Sequence, residues 1–359
     1  MTNVSHRALF LALLAALLTC SASAQSAPYK VLDPLSAGNL QIFPVVSSQE
    51  HPSGKFLTLA EGLATGDVVV MERGQWEEIQ TLRTPGVFTP QQKFDSAQVG
   101  RLMLVNKTHK PLMMLGGEVL TGGKQDRTVG EDRLVPANSG AVDLDVFCVE
   151  PHRWKGTTVK FGGAAFLLQP SVRLITLTSQ NQRQVWNAVG DAQKSAAHLV
   201  GAQQLGSSSY AAVMDHQGVR TKIGDLADPL QQQYDAREDD LHFRNMVGVV
   251  VAIDGHPVWA DVFATTDMLE AYWPKLLMSY AAEAVARPAT GAKADIPAAQ
   301  QFLRAMDDLR EQSARSSDLF QQVTLCGGGY RATEVRSLVP GETYVLHTAL
   351  MSDPHGKCK

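Results

Sequence analysis

The sequence predicts an α+β protein, with an antiparallel, β-rich N-terminal half, packed helices after it, and a late β-hairpin. Three observations carry this. Short apolar runs broken by turn residues dominate residues 39–149. Helix-period segments with capping residues dominate residues 179–240. Then Asp254-Gly255 stands between two apolar runs, the dipeptide a type I′ hairpin turn prefers. A doubly wound sheet would instead alternate strand and helix regularly.

The elements follow in chain order. Residues 1–24 predict a secretory signal peptide: His6 and Arg7 give a positive start, and Ala8 to Leu18 an apolar run too short for a permanent span. Ala22-Ser23-Ala24 supplies a cleavage site and leaves Gln25 as the new terminus. The expected location is therefore exported, periplasmic or secreted. The competing reading is a lipoprotein signal ending at Cys20, where Thr19 is a poor match for the small residue usual before the lipidated cysteine. A main domain is expected over residues 25–286, a linker over 287–297, and a C-terminal helix with strands over 298–359 packed on the main domain.

Within the main domain, residues 25–38 read as a polar entry segment and Asn39 to Val46 as a strand. Thr58 with Glu61 predicts a capping box opening a short helix. Asp67 to Glu72 is β-rich, and Gln98 to Asn106 with Lys110 to Leu120 suggests a hairpin or meander. Arg133 to Pro136 and Ala141 to Val149 continue the strands. Ser179 with Gln182 predicts a helix to about Gly201, and Asp228-Pro229 another to about Asp240. The hairpin strands are Met246 to Ile253 and His256 to Phe263, followed by a helix from about Asp267 that contains Pro274. Arg287 to Pro297 is the linker, Ala298 to Ser313 a helix, and Phe320–Leu325 and Tyr344–Leu350 the last strands.

Composition narrows the function. Hydrophobic residues make up 44% and charged residues 19% of 359, as in ordinary globular chains. The net charge is −4 without a basic stripe, which argues against nucleic-acid binding. No later segment is apolar for membrane-spanning length, so no transmembrane segment is expected. Cleavage at Ala24 leaves Cys148, Cys326 and Cys358, an odd set. A Cys326–Cys358 bridge would stabilise by about 3–4 kcal/mol and leave Cys148 free; the pairing and its absence stay open. No Cys-x-x-Cys, His-Glu-x-x-His, nucleotide-binding glycine loop or Gly-x-Ser-x-Gly elbow occurs, so no metal and no cofactor is expected.

Reactive residues gather between Leu115 and Trp154. The glycine pairs Gly116-Gly117 and Gly122-Gly123 allow tight turns and close approach. Lys124, Gln125 and Arg127 beside Gly123 offer donors and cations to an anionic ligand. At the other end Cys148, Glu150 and His152 alternate on one strand face, the ingredients of a nucleophile and its base. The same residues also suit a buried network, with Glu118 and Glu150 pairing Arg127 and Arg153.

These motifs, GGEVLTGGKQDRT and VFCVEPHRW, together with MVGVVVAIDGHPVWADVFATTDMLEAYWPKLLMSYAAEAV, resemble the ADP-ribosylglycohydrolase-and-rhodanese-phosphatase-superfamily-associated protein domain family. The resemblance spans roughly residues 38–286. It places Glu118, Gly123, Lys124, Gln125, Arg127, Cys148, Glu150, Arg153 and Trp154 on motif positions. Asp126 stands where many members have Asn, and His152 where a small residue is common. By analogy the resemblance implies an ADP-ribose-like or nucleotide-like ligand. Three readings stay open. One is a domain binding a polar or anionic small ligand through Glu118, Gly123, Lys124, Gln125, Arg127 and Arg153. Another is a hydrolase or transferase in which Cys148 or Glu150 acts directly. The last is a structural or interaction domain whose motif is a buried polar network.

Overall fold

A computed structural model describes residues 28–73, 100–151, 153, 158 and 160–354. The segment expected to be a signal peptide, Cys20, His152, Trp154 and Cys358 lie outside the described residues.

The fold is α+β, with three sheets that are antiparallel except for one strand pair. The largest sheet has nine strands, ordered β1 (Tyr29–Val31), β3 (Leu40–Ser47), β13 (Met246–Ile253), β14 (His256–Phe263), β18 (Val345–Ser352), β17 (Tyr330–Ser337), β16 (Phe320–Gly327) and β15 (Arg310–Ser316), with β2 (Leu35–Ala37) also on β3. A six-stranded sheet runs β12 (Gly162–Leu167), β8 (Glu118–Thr121), β9 (Arg127–Val129), β11 (Val142–Cys148), β6 (Arg101–Asn106), β5 (Val68–Glu72). A small sheet joins β10 (Arg133–Val135), β7 (Leu112–Met114) and β4 (Leu57–Thr58), the last pair parallel. The helices are α1 (Leu59–Thr65), α2 (Pro170–Ser179), α3 (Gln182–Leu199), α4 (Tyr210–Met214), α5 (Gln217–Asp235), α6 (Glu238–Phe243), α7 (Thr266–Val285) and α8 (Ile296–Arg304).

Strand β13 explains why its sequence is apolar without alternation: every residue is buried. Val249 and Val251 belong to the large core with Leu276 and Tyr280 of α7. Val250 and Ala252 belong to a second core with Phe302 and Leu303 of α8. A strand covered on both faces needs apolar side chains at both phases of the pleat. The β13–β14 turn has Asp254 at φ 49° and Gly255 at φ 80°, as a type I′ turn requires. The Thr58–Glu61 capping box at α1 forms in both directions.

Other expectations differ from what is seen. Ser179 ends α2, and α3 starts two residues later than expected because Asn181 is its N-cap and accepts from the Arg183 and Gln184 amides. Helix α5 begins at Gln217 and carries Pro229 inside it. Burial of Val219, Ile223, Leu230 and Tyr234 holds that helix together across the missing proline N–H. Among the described residues, β6 and β7 form no hairpin: β6 pairs with β5 and β11, whereas β7 pairs with β10 and β4. The helix expected to Ser313 stops at Arg304, and Arg310–Ser316 is instead an exposed, polar edge strand. Residues 287–295 form no helix or strand and are tied to the large sheet, where Asp254 accepts from Thr290 and Gln41 from the Ala294 amide.

Candidate functional site

The glycine-rich motif is a β8–β9 hairpin with Val119 opposite Thr128 and Leu120 opposite Arg127. Its tip turns at Gly122 (φ 119°) and Gly123 (φ 53°). A Cβ on Gly123 would lie 2.2 Å from the Phe161 ring, so both backbone and space demand glycine there. The tip's amides are used internally. Gly122 N donates to Asp126 Oδ1 at 2.9 Å, and Lys124 N to Glu72 Oε1 at 2.9 Å.

Strand β11 brings the second motif alongside, with Cys148 opposite Arg127. Just past the strand, Glu150 becomes the hub. Its Oε2 accepts from the Asp126 amide at 3.0 Å, its carbonyl from Gln125 Nε2 at 2.9 Å, and its Oε1 from Arg153 Nε at 2.5 Å. Arg153 reaches on to the Gly123 carbonyl (3.2 Å) and Asp126 Oδ1 (3.4 Å). Thus Gly123, Lys124, Gln125, Arg127, Cys148, Glu150 and Arg153 meet in one cluster. Glu118 does not join it. At the far end of β8, its carboxylate takes Lys275 Nζ of α7 at 2.8 Å and the Leu115 amide at 3.0 Å.

Burial sets the electrostatics. Arg127 is fully buried, with Nη1 on the Gln125 carbonyl at 3.0 Å and Nη2 3.9 Å from Glu72. Burial lowers its pKa, against the pull of Glu72, yet a guanidinium keeps its proton. Burial likewise raises the Asp126 pKa, although the Ser209 hydroxyl donates to it at 2.5 Å. The hydrogen bond to Glu150 raises that of Arg153. Burial also pushes the Cys148 thiol up; the Glu150 backbone, Arg127 and Trp186 pull the other way and are outweighed. Cys148 is a free, buried cysteine whose sulfur bonds the Glu150 carbonyl at 3.3 Å, a proton-retaining thiol. Cys326 is disulfide-bonded.

An open cleft of about 560 Å³, with several polar side chains in its lining, adjoins this cluster. Trp186, Asn187, Gln193, Lys194, Ser207 and Ser208 line it together with Pro151. Pro151 follows Glu150 in the chain, and Ser208 precedes the Ser209 that bonds Asp126. The motif therefore holds two of the cleft's walls in place.

A second buried network escaped the sequence reading. Asp261 of β14 accepts from Arg173 Nη1 (3.0 Å) and Nη2 (3.2 Å), Trp259 Nε1 (2.8 Å), His347 Nε2 (3.0 Å) and the Tyr280 hydroxyl. His347 Nδ1 meets Asp132 Oδ2 at 2.6 Å, and Asp132 Oδ1 accepts from the Gly116 amide at 2.7 Å. Burial alone would lower the His347 pKa, but the two carboxylates raise it to about 9. Burial opposes the ionised form of Asp261 too, yet Arg173 and His347 hold its carboxyl below the ordinary range. Arg173, Asp261 and His347 each sit as a lone charged or titratable residue in an apolar run, which was the available signal. Among the described residues no group of three or more His, Cys, Asp or Glu is placed to hold a metal ion. No described helix is long and apolar enough to cross a membrane.

No curated protein and no solved structure matches the chain. A family model, described as the ARG and Rhodanese-Phosphatase-superfamily-associated Protein domain, matches residues 28–351. That range contains both motifs and all three sheets, and the chain belongs to this family.

Proposed function

We propose that the chain is an exported binding domain for a polar small molecule, taken up in the cleft beside Glu150 and Ser209. The carrying observation is the cleft itself: amides of Asn187 and Gln193, hydroxyls of Ser207 and Ser208, and the Trp186 ring line one opening of about 560 Å³. Amides and hydroxyls both donate and accept, which suits a hydroxyl-rich ligand, and an indole face suits a flat ring. Nucleosides and nucleotide sugars combine those features, and the family's name associates it with enzymes of ADP-ribose chemistry. Lys194 in the cleft and the half-buried Lys124 and Arg153 at the motif supply positive charge for an anionic group. Buried Gln125 and Arg127 hold the motif's shape, and Glu118 ties the far end of β8 to Lys275. The bonded state of Cys326 supports an oxidising compartment.

The reading in which Cys148 or Glu150 does chemistry has less support. The thiol is buried and protonated, and both carboxylate oxygens of Glu150 are engaged. A thermal-shift screen of ADP-ribose, nucleotides and sugars tests the proposal, because a ligand that binds the native state raises the melting temperature. A rise that Trp186→Ala abolishes and Arg153→Ala reduces is expected. No rise with any compound, or one unchanged in both variants, refutes it.

A further inference from the structure

Across helix α4 from the cleft lies a more apolar pit. Val213 faces the cleft, while Tyr210 and Met214 of the same short helix line the pit. The pit holds about 250 Å³. Phe166, Ile223, Met278 and Ala282 are among its other wall residues. Tyr210 turns its ring to the pit, and its hydroxyl oxygen accepts from the Gln169 amide at 3.1 Å. Charged groups stand at the mouth, where Arg220 donates to Asp215 at 2.8 Å with both side chains solvent-exposed.

We propose that this pit is a second binding site, for a compact, uncharged molecule with a hydrocarbon body and one small polar end. Three features carry the assignment. The volume exceeds the ~150 Å³ that suffices for benzene, so a short chain or a ring with a small substituent fits. The walls are mainly apolar and offer chiefly dispersion, and two methionines let them adjust to the occupant's outline. The mouth is electrically neutral. Arg220 and Asp215 neutralise each other, so neither a carboxylate nor an ammonium gains a net charge attraction there, whereas a hydroxyl bonds to either. Helix α4 also touches the motif, since Ser209 at its N-cap donates to Asp126. Occupancy of the pit therefore bears on the wall it shares with the cleft.

The test uses hexanol, hexanoate and hexylammonium, titrated calorimetrically into the full chain at neutral pH. Hexanol is expected to bind with one site per chain, at least ten-fold more tightly than either charged analogue. Ala165→Trp, placed on the exposed rim, and Ala282→Met, which fills the floor, should each weaken hexanol at least ten-fold. Absence of hexanol binding overturns the proposal. So does hexanoate binding as tightly, or hexanol affinity unchanged in both variants. Because the cleft is read out with nucleotides and sugars and by Trp186→Ala, failure at one site is distinguishable from failure at the other.

Discussion

Replacing Asp261 with Asn is the sharpest test of what holds the large sheet to the glycine-rich segment. The carboxylate is fully buried and accepts five hydrogen bonds, two from Arg173 and one each from Trp259, His347 and Tyr280. With His347 protonated at neutral pH, Arg173 and His347 balance Asp261 and Asp132. Asn keeps the shape, but it turns an amide NH₂ toward donors and leaves one buried positive charge uncompensated. Removing one member of a buried charge set costs about 3–5 kcal/mol. That is a large share of the 5–15 kcal/mol typical of a whole protein. In a urea titration followed by tryptophan fluorescence, an m-value of about 3 kcal/mol/M converts the loss into a midpoint lower by about 1 M or more. Asp191→Asn, on an exposed pair with Lys194, is the control and should stay within about 0.5 kcal/mol. A loss below about 1 kcal/mol for Asp261→Asn, with m unchanged, refutes the reasoning.

Three further outcomes follow from the same physics. His347 titrates near 6.5 when unfolded and about 9 when folded, so its contribution is complete below pH 6.5 and disappears as pH rises through 9; about 3 kcal/mol is at stake, and His347→Gln should flatten the alkaline fall in melting temperature relative to wild type. Parallel profiles would contradict it. Glu118→Ala leaves Lys275 buried without its carboxylate and should cost about 3 kcal/mol in urea, while Glu118→Met with Lys275→Met should recover most of that; a double variant no better than the single would count against the pair. Cys148 should react with a thiol-specific disulfide reagent only on unfolding, and fast labelling of the native protein would reopen the nucleophile reading.

What could be read in advance divides by the range of the physics. The Asp254-Gly255 hairpin and the Thr58–Glu61 cap depend on φ preferences and side-chain reach within four residues, and both stand where expected. The meeting of Gly123, Gln125 and Arg127 with Glu150 and Arg153 was also legible, because it needs only one hairpin and its neighbouring strand. Glu118 was harder: its partner Lys275 is 157 residues away, on a helix whose docking no local pattern specifies. Arg173, Asp261 and His347 each announced a buried charge inside PSVRLITL, VWADVF and YVLHTALM, but their pairings cross 88 and 86 residues. Strands β1 and β2 are three residues long, and β12 reads GGAAFL, so neither length nor alternation marked them. Strand β15 reads REQSARS and faces solvent, so nothing in it looked like a strand at all.

The β3–β13 ladder sets a schedule for the polypeptide. Val45 pairs with Gly248 and Ile42 with Val251, so strand β3 has its central neighbour only after about 200 further residues have been made. The six-stranded and three-stranded sheets are encoded wholly within that interval and can close first. The nine-stranded sheet must then be assembled from both ends of the chain, which makes folding slow and its late stage dependent on long-range encounter. A chain interrupted before Met246 would leave LQIFPVVS, an apolar strand, with only the three-residue β1 and β2 on one edge and its other edge bare, and would aggregate rather than fold.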